Sequence, residues 1–130
     1  MLFLIVMSNQ VLYKSYVRPH NTVTNYMTKF SGITAQMLSG ISIRLTDVQR
    51  EICALLPPNA ILAGHSLEND LRALKLYHPY VIDTSLCFNM DPTRARKSKL
   101  KHLAKIFLDK DIQESKQGGH DPEEDAKATM

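Results

Sequence analysis

Apolar and polar positions change their rhythm along this chain, and the changes mark its elements. Leu2–Met7 (L-F-L-I-V-M) is an unbroken apolar run closed by Ser8-Asn9-Gln10, which predicts a fully buried strand and a turn. A secretory signal would need a basic segment before a longer apolar stretch, and this run has neither. Val11, Tyr13, Ser15 and Val17 then mark a second strand that Arg18-Pro19 breaks, so the two runs read as an antiparallel hairpin. Residues 18–33 are polar and irregular, ending at Ser31-Gly32, and Thr34–Leu38 reads as one short helical turn.

A helical period follows. Leu45, Val48, Ile52 and Leu55 form one stripe, Thr46 and Gln49 read as a capping box, and Pro57-Pro58 ends the helix. Ala60–Ala63 predicts a short buried strand, Gly64-His65-Ser66 a turn, and residues 67–75 a helix. Val81–Asp83 predicts another short strand, and residues 89–97 a polar loop. Lys99–Leu108 is an amphipathic helix with Leu100, Leu103, Ala104 and Phe107 on one side. A polar linker runs to Gly118-Gly119. The last helix opens with Asp121 as N-cap, Pro122 at the first position and Glu124 completing a capping box.

Hairpin, helix, strand, helix, strand, helix, helix is an α/β order, and 130 residues allow one small domain. The apolar fraction of 44% with 22% charged residues is that of a globular chain, and no apolar run is long enough to span a membrane. Two cysteines, Cys53 and Cys87, are too few for a disulfide scaffold and read as reduced and intracellular. The net charge of +3 leans toward a polyanionic partner without deciding the matter.

Three groups of residues carry candidate chemistry. On the helix after Gly64, Leu67, Leu71 and Leu74 define the buried stripe, and Asp70 falls roughly 60° from its centre. A carboxylate turned halfway to the core needs a cation, either a metal ion or a lysine or arginine in a surface ion pair. His120 and Asp125 flank the start of the last helix and can face one point there. A histidine at such a point can serve as a general base and a carboxylate can hold a divalent cation. Equally, the acids at 121–125 can simply decorate a helix start, where negative charge belongs. Between these groups, Arg94, Arg96, Lys97, Lys99, Lys101 and Lys105 lie within twelve residues that contain no acid. That run is either a phosphate-backbone contact, or a solvated helix face or nuclear-import-like patch. His65 sits in the turn beside Asp70, while His20, His78 and His102 read as surface residues.

Together these features resemble the DEDDh (DnaQ-like) 3′–5′ exonucleases, in their eukaryotic RNA exonuclease branch. Gly64–Leu71 (G-H-S-L-E-N-D-L) is similar to that family's second motif and Gly119–Ala126 (G-H-D-P-E-E-D-A) to its third. Phe30–Thr34 (F-S-G-I-T) and Val81–Thr84 (V-I-D-T) are also typical of it. The resemblance implies a ribonuclease H-like mixed sheet flanked by helices. It also implies removal of nucleotides from RNA 3′ ends with two Mg²⁺ or Mn²⁺ ions. Carried over, Asp70 and Asp125 are metal ligands and His120 is the base. His65, Arg94, Arg96, Lys97, Lys99 and Lys101 are the expected nucleic-acid contacts. RNA is the implied partner, without membrane attachment, and the nucleus or nucleolus the implied location.

The family's first two acids come from an Asp-x-Glu strand ahead of the hairpin, and here no Asp or Glu precedes Asp47. Asp47 reads as part of a helix start. The expectation is therefore a single, incomplete exonuclease domain over residues 1–130 that lacks its first strand. An inactive RNA-binding module and a non-functional fragment are the alternatives.

Overall fold

The computed structural model describes residues 2–7, 10–93, 95–114 and 121–130. The expected turn at Ser8-Asn9, the linker to Gly119 and the burial of the Leu2–Met7 side chains lie outside this description.

Strand β1 (Leu2–Met7) pairs antiparallel with β2 (Gln10–Tyr16), with a register shift between Ile5 and Val6. On β2 the alternation holds only toward its end: Ser15 is buried, Tyr13 is half-buried and Val17 beyond the strand is buried, whereas Val11 is exposed. Two short helices follow, α1 (Thr28–Ser31) and α2 (Ala35–Ser39). The first was not foreseen in the polar stretch; it ends at Gly32 in a left-handed conformation, φ 67°, which glycine adopts without a steric cost. Thr34 caps α2 by accepting the Met37 N–H at 3.3 Å.

Helix α3 (Leu45–Leu55) begins earlier than Thr46 would have it. Arg44 is the N-cap, and its backbone N–H donates to Asp47 Oδ2 at 2.9 Å, so the acid of the first turn takes the reciprocal role expected of Gln49. Gln49 is used elsewhere, donating Nε2–H to the Leu74 carbonyl at 2.7 Å. The apolar stripe is narrower than its period suggested: Val48 and Ile52 are buried, whereas Leu55 is exposed.

Strand β3 (Leu62–Gly64) lies slightly downstream of the expected Ala60–Ala63 and pairs in parallel with β4 (Val81–Asp83). Between them runs α4 (Leu67–Leu74), and β4 leads directly into a short α5 (Thr84–Cys87). Helix α6 (Leu100–Leu108) buries Leu100, Leu103 and Ala104. Phe107, expected on that side, is exposed and meets Phe88 with ring centroids 5.1 Å apart. Helix α7 (Pro122–Thr129) starts at Asp121, whose side chain accepts the Glu123 N–H at 2.9 Å. Glu124, expected in a capping box, accepts the Gln113 N–H at 2.8 Å and so ties the preceding segment to the helix.

The main core joins Val17, Val48, Ile52 and Leu74, bringing hairpin, α3 and α4 together. A second cluster, Leu100, Ala104 and Ile112, is closed by Ala128 of α7. Helix α7 also lies against β1 and β3. Among the described residues the strands pair as two two-stranded ladders, one antiparallel and one parallel, flanked by helices. No helix among the described residues is long and apolar enough to cross a membrane.

Candidate active site

The β3–α4 junction is built by close approach. A Cβ placed on Gly64 would meet Leu67 Cδ1 at 2.7 Å and Leu67 Cβ at 2.9 Å, so only a glycine lets the strand end this near the helix start. Ser66 then turns left-handed, φ 57°, and α4 begins.

The first N–H groups of that helix find their acceptor on another element. Asp83, the last residue of β4, accepts from Ser66 N–H through Oδ1 at 2.8 Å and from Leu67 N–H through Oδ2 at 3.1 Å. The same Oδ1 accepts from Ser85 N–H at 2.9 Å and the Ser85 hydroxyl at 2.6 Å. One carboxylate thus caps α4 and α5 together and binds strand β4 to the helix that follows β3. Partial loss of water works to raise the Asp83 pKa, but the Ser85 hydroxyl, the Ser66 and Ser85 N–H groups and the Lys97 charge outweigh it. Its carboxyl is held below the ordinary aspartate value.

Asp70 rides on the helix so fixed. Surrounding protein strips part of the water from its carboxyl and pushes its pKa above the ordinary value. Its own backbone N–H opposes the shift, and the Asp83 charge adds to it. The residue, expected on the flank of the stripe, is exposed. The ion pair offered as the ordinary alternative is not formed: among the described residues no lysine, arginine or histidine lies within pairing distance of Asp70.

Asp125 is half-buried in the first turn of α7 and accepts from Gln113 Nε2–H through Oδ1 at 2.8 Å. His120 lies outside the described residues, as does Arg94. His65 is half-buried, with Nδ1 3.1 Å from Thr84 Oγ1. Because that hydroxyl donates onward to the Gly64 carbonyl at 3.2 Å, the imidazole Nδ1–H is the donor in the pair. The expected basic contacts are partly engaged by acids from elsewhere in the chain. Lys97 Nζ meets Glu68 Oε1 at 2.7 Å and Lys101 Nζ meets Glu114 Oε1 at 3.2 Å. Lys105, between Asp111 and Asp109, is held protonated by both. Arg96 and Lys99 have no acid within pairing distance among the described residues.

A divalent cation would find hard oxygen donors here. Asp70, partly dehydrated and without a cationic neighbour, suits a Mg²⁺-like ion, which is commonly held by one or two carboxylates with water and substrate phosphate. No group of three His, Cys, Asp or Glu side chains that could hold a metal occurs among the described residues.

Asp83 is the residue that sequence reading left without a role. Its signal was present: an aspartate closing a short strand, followed by Thr84-Ser85, is a cap for whatever helix begins there. That it caps a second, distant helix as well is tertiary and had no local sign.

Comparison with known proteins places this α/β chain. The family model for exonucleases matches residues 6–130, and the chain belongs to that exonuclease family. It is 53% identical over 114 residues to human RNA exonuclease 5, covering 88% of this chain and 14% of that protein. To RNA exonuclease 1 of Saccharomyces cerevisiae it is 38% identical over 128 residues, covering 98% of this chain and 23% of that one. Among solved structures, the Neurospora crassa Pan2 catalytic unit (protease and nuclease domain) matches with a TM-score of 0.78 and 30% identity, over 93% of this chain and 20% of that chain. The α/β fold is therefore of the ribonuclease H-like exonuclease type. The chain spans less than a quarter of the length of these relatives.

Proposed function

We propose that this chain acts as a 3′–5′ exoribonuclease domain, removing nucleotides from RNA 3′ ends with Mg²⁺ or Mn²⁺. The observation that carries the reading is the exonuclease match across residues 6–130. RNA is supported as substrate by the relatives: two are named RNA exonucleases, and a Saccharomyces cerevisiae Pan2 exonuclease module was solved with AAGGA RNA.

Asp70 and Asp125 would hold the cation, which when bound acidifies the attacking water and offsets charge at the leaving oxygen. Asp83 keeps α4, and with it Asp70, in place against β4. Gln113 holds the Asp125 carboxylate in orientation. His120 takes the proton from the attacking water. Arg96 and Lys99, unpaired among the described residues, contact the RNA backbone. A nuclear site of action accompanies this reading; a fluorescent fusion of the chain, with and without Arg96 and Lys99, tests it.

The decisive experiment gives the chain a 5′-labelled RNA with either a free or a blocked 3′ end, with Mn²⁺ or with EDTA. Stepwise shortening of the free-ended RNA in Mn²⁺ is expected, with a loss of about a hundredfold or more in Asp70→Asn and Asp125→Asn. Equal activity in these variants overturns the site. RNA binding that weakens steeply with salt, without shortening, replaces the reading with an RNA-binding module.

A further inference from the structure

Lys97, Lys101 and Lys105 of the sequence cluster meet acids, whereas Arg18 and Arg44, far apart in sequence, do not among the described residues. Arg18, His20 and Arg44 line one open cleft of about 350 Å³, between the exit of β2, α2 and the start of α3. No aspartate or glutamate lines it. None of the three has an acid within pairing distance among the described residues. Two arginines lining one cleft without an acid beside them favour an anion there.

The cleft is also prepared for an anion. Arg44 is fixed in place: Nη1–H donates to the Pro19 carbonyl at 2.6 Å and to the Arg18 carbonyl at 3.1 Å. The acid nearest in sequence, Asp47, is occupied by the Arg44 backbone N–H and by Arg50. Asn21 and Thr22 also line the cleft, and their side chains make no hydrogen bond to protein among the described residues. Tyr26 supplies a half-buried aromatic ring. Guanidinium forks match phosphate oxygens in pairs, amides and hydroxyls complete their hydrogen bonding, and an aromatic face accepts a stacked base. The volume is that of a small-ligand site and too small for a duplex.

We propose that this cleft binds a phosphate-bearing nucleotide unit, either a free nucleoside monophosphate or one nucleotide of an RNA strand. None of Asp70, Asp125 or the basic residues at 96–101 lines it, so it is an additional site. It rests on the exonuclease reading only in that such a reaction supplies both kinds of ligand.

The test measures binding to the full chain by calorimetry with EDTA present, using adenosine, adenosine 5′-monophosphate, inorganic phosphate and a six-nucleotide RNA. Adenosine 5′-monophosphate or the RNA is expected to bind clearly tighter than adenosine. Arg18→Ala and His20→Ala, both at exposed positions, are expected to weaken that binding about tenfold and about threefold with unchanged thermal melting. Tighter binding of the monophosphate identifies a free nucleotide as the ligand; binding of the RNA alone identifies a strand. Equal affinity for adenosine, or unchanged affinity in Arg18→Ala, overturns the proposal. Asp70→Asn separates the two readings. It is expected to abolish RNA shortening and leave nucleotide binding in EDTA intact. Active Asp70→Asn sinks the catalytic assignment alone, and loss of nucleotide binding in it sinks the cleft.

Discussion

Asp70 and Asp83 stand thirteen residues apart, close enough for one charge to raise the pKa of the other, yet their environments are opposite. Asp83 accepts four hydrogen bonds, feels the Lys97 charge and is held below the ordinary pKa. Asp70 is partly dehydrated, has no cation beside it among the described residues and is pushed above. The first carboxylate is consumed in holding the fold. The second has no cation beside it among the described residues and rides on the helix that the first one fixes, the environment that the proposed function asks of a metal ligand.

The comparison breaks most visibly at Asp83. Asp83→Ala leaves the first N–H groups of α4 and α5 without their acceptor and should cost about 3 kcal/mol in urea unfolding, where a loss under 1 kcal/mol would deny its capping role. Gly64→Ala forces Leu67 away from the strand and should cost about 1–3 kcal/mol by the same measurement. Ser85→Ala removes the 2.6 Å hydroxyl bond alone and should cost about 1 kcal/mol. Asp70→Asn, by contrast, should leave stability within about 0.5 kcal/mol or raise it slightly, while losing the cation-dependent chemistry.

Acid sharpens the contrast because the two signs differ. The Asp83 contribution is complete above the unfolded aspartate value of about 3.9 and is lost as pH falls through its lower folded value. Ionised Asp70 opposes folding, so any gain from Asp70→Asn is present above its raised value and disappears as pH falls toward the unfolded one. Chemical unfolding of wild type and both variants across mildly to strongly acid pH should show the two differences shrinking with opposite sign.

Local periodicity was a good guide where one face of an element meets the core. The hairpin, the Val48–Ile52 stripe and the Leu100–Ala104 face follow from it directly. It failed where a side chain is claimed by something distant in sequence. Gln49 resembles a capping residue but reaches the C-terminal end of α4, and Phe107 continues its stripe yet packs on Phe88 at the surface. The charged residues repeat this lesson. Lys97 and Lys101 sit in an acid-free run, yet their partners Glu68 and Glu114 come from outside it. The resemblance singled out Asp70 and Asp125 as candidates; the hydrogen bonds of Asp83 that fix the Asp70 helix had no such sign, since they join the ends of two strands only once the parallel pair has formed.

Helix α4 is bracketed by Ser66 and Lys75, both left-handed at φ 57° and 51°, so it can grow by a turn in neither direction. Its far end is held by Gln49 and its near end by Asp83. Each added or deleted residue between these anchors would rotate Asp70 by about 100° around the helix axis. The interval from Gly64 to Leu76 should therefore tolerate substitutions at its exposed positions but no change of length, whereas the loop between Phe88 and Lys99 should accept insertions readily.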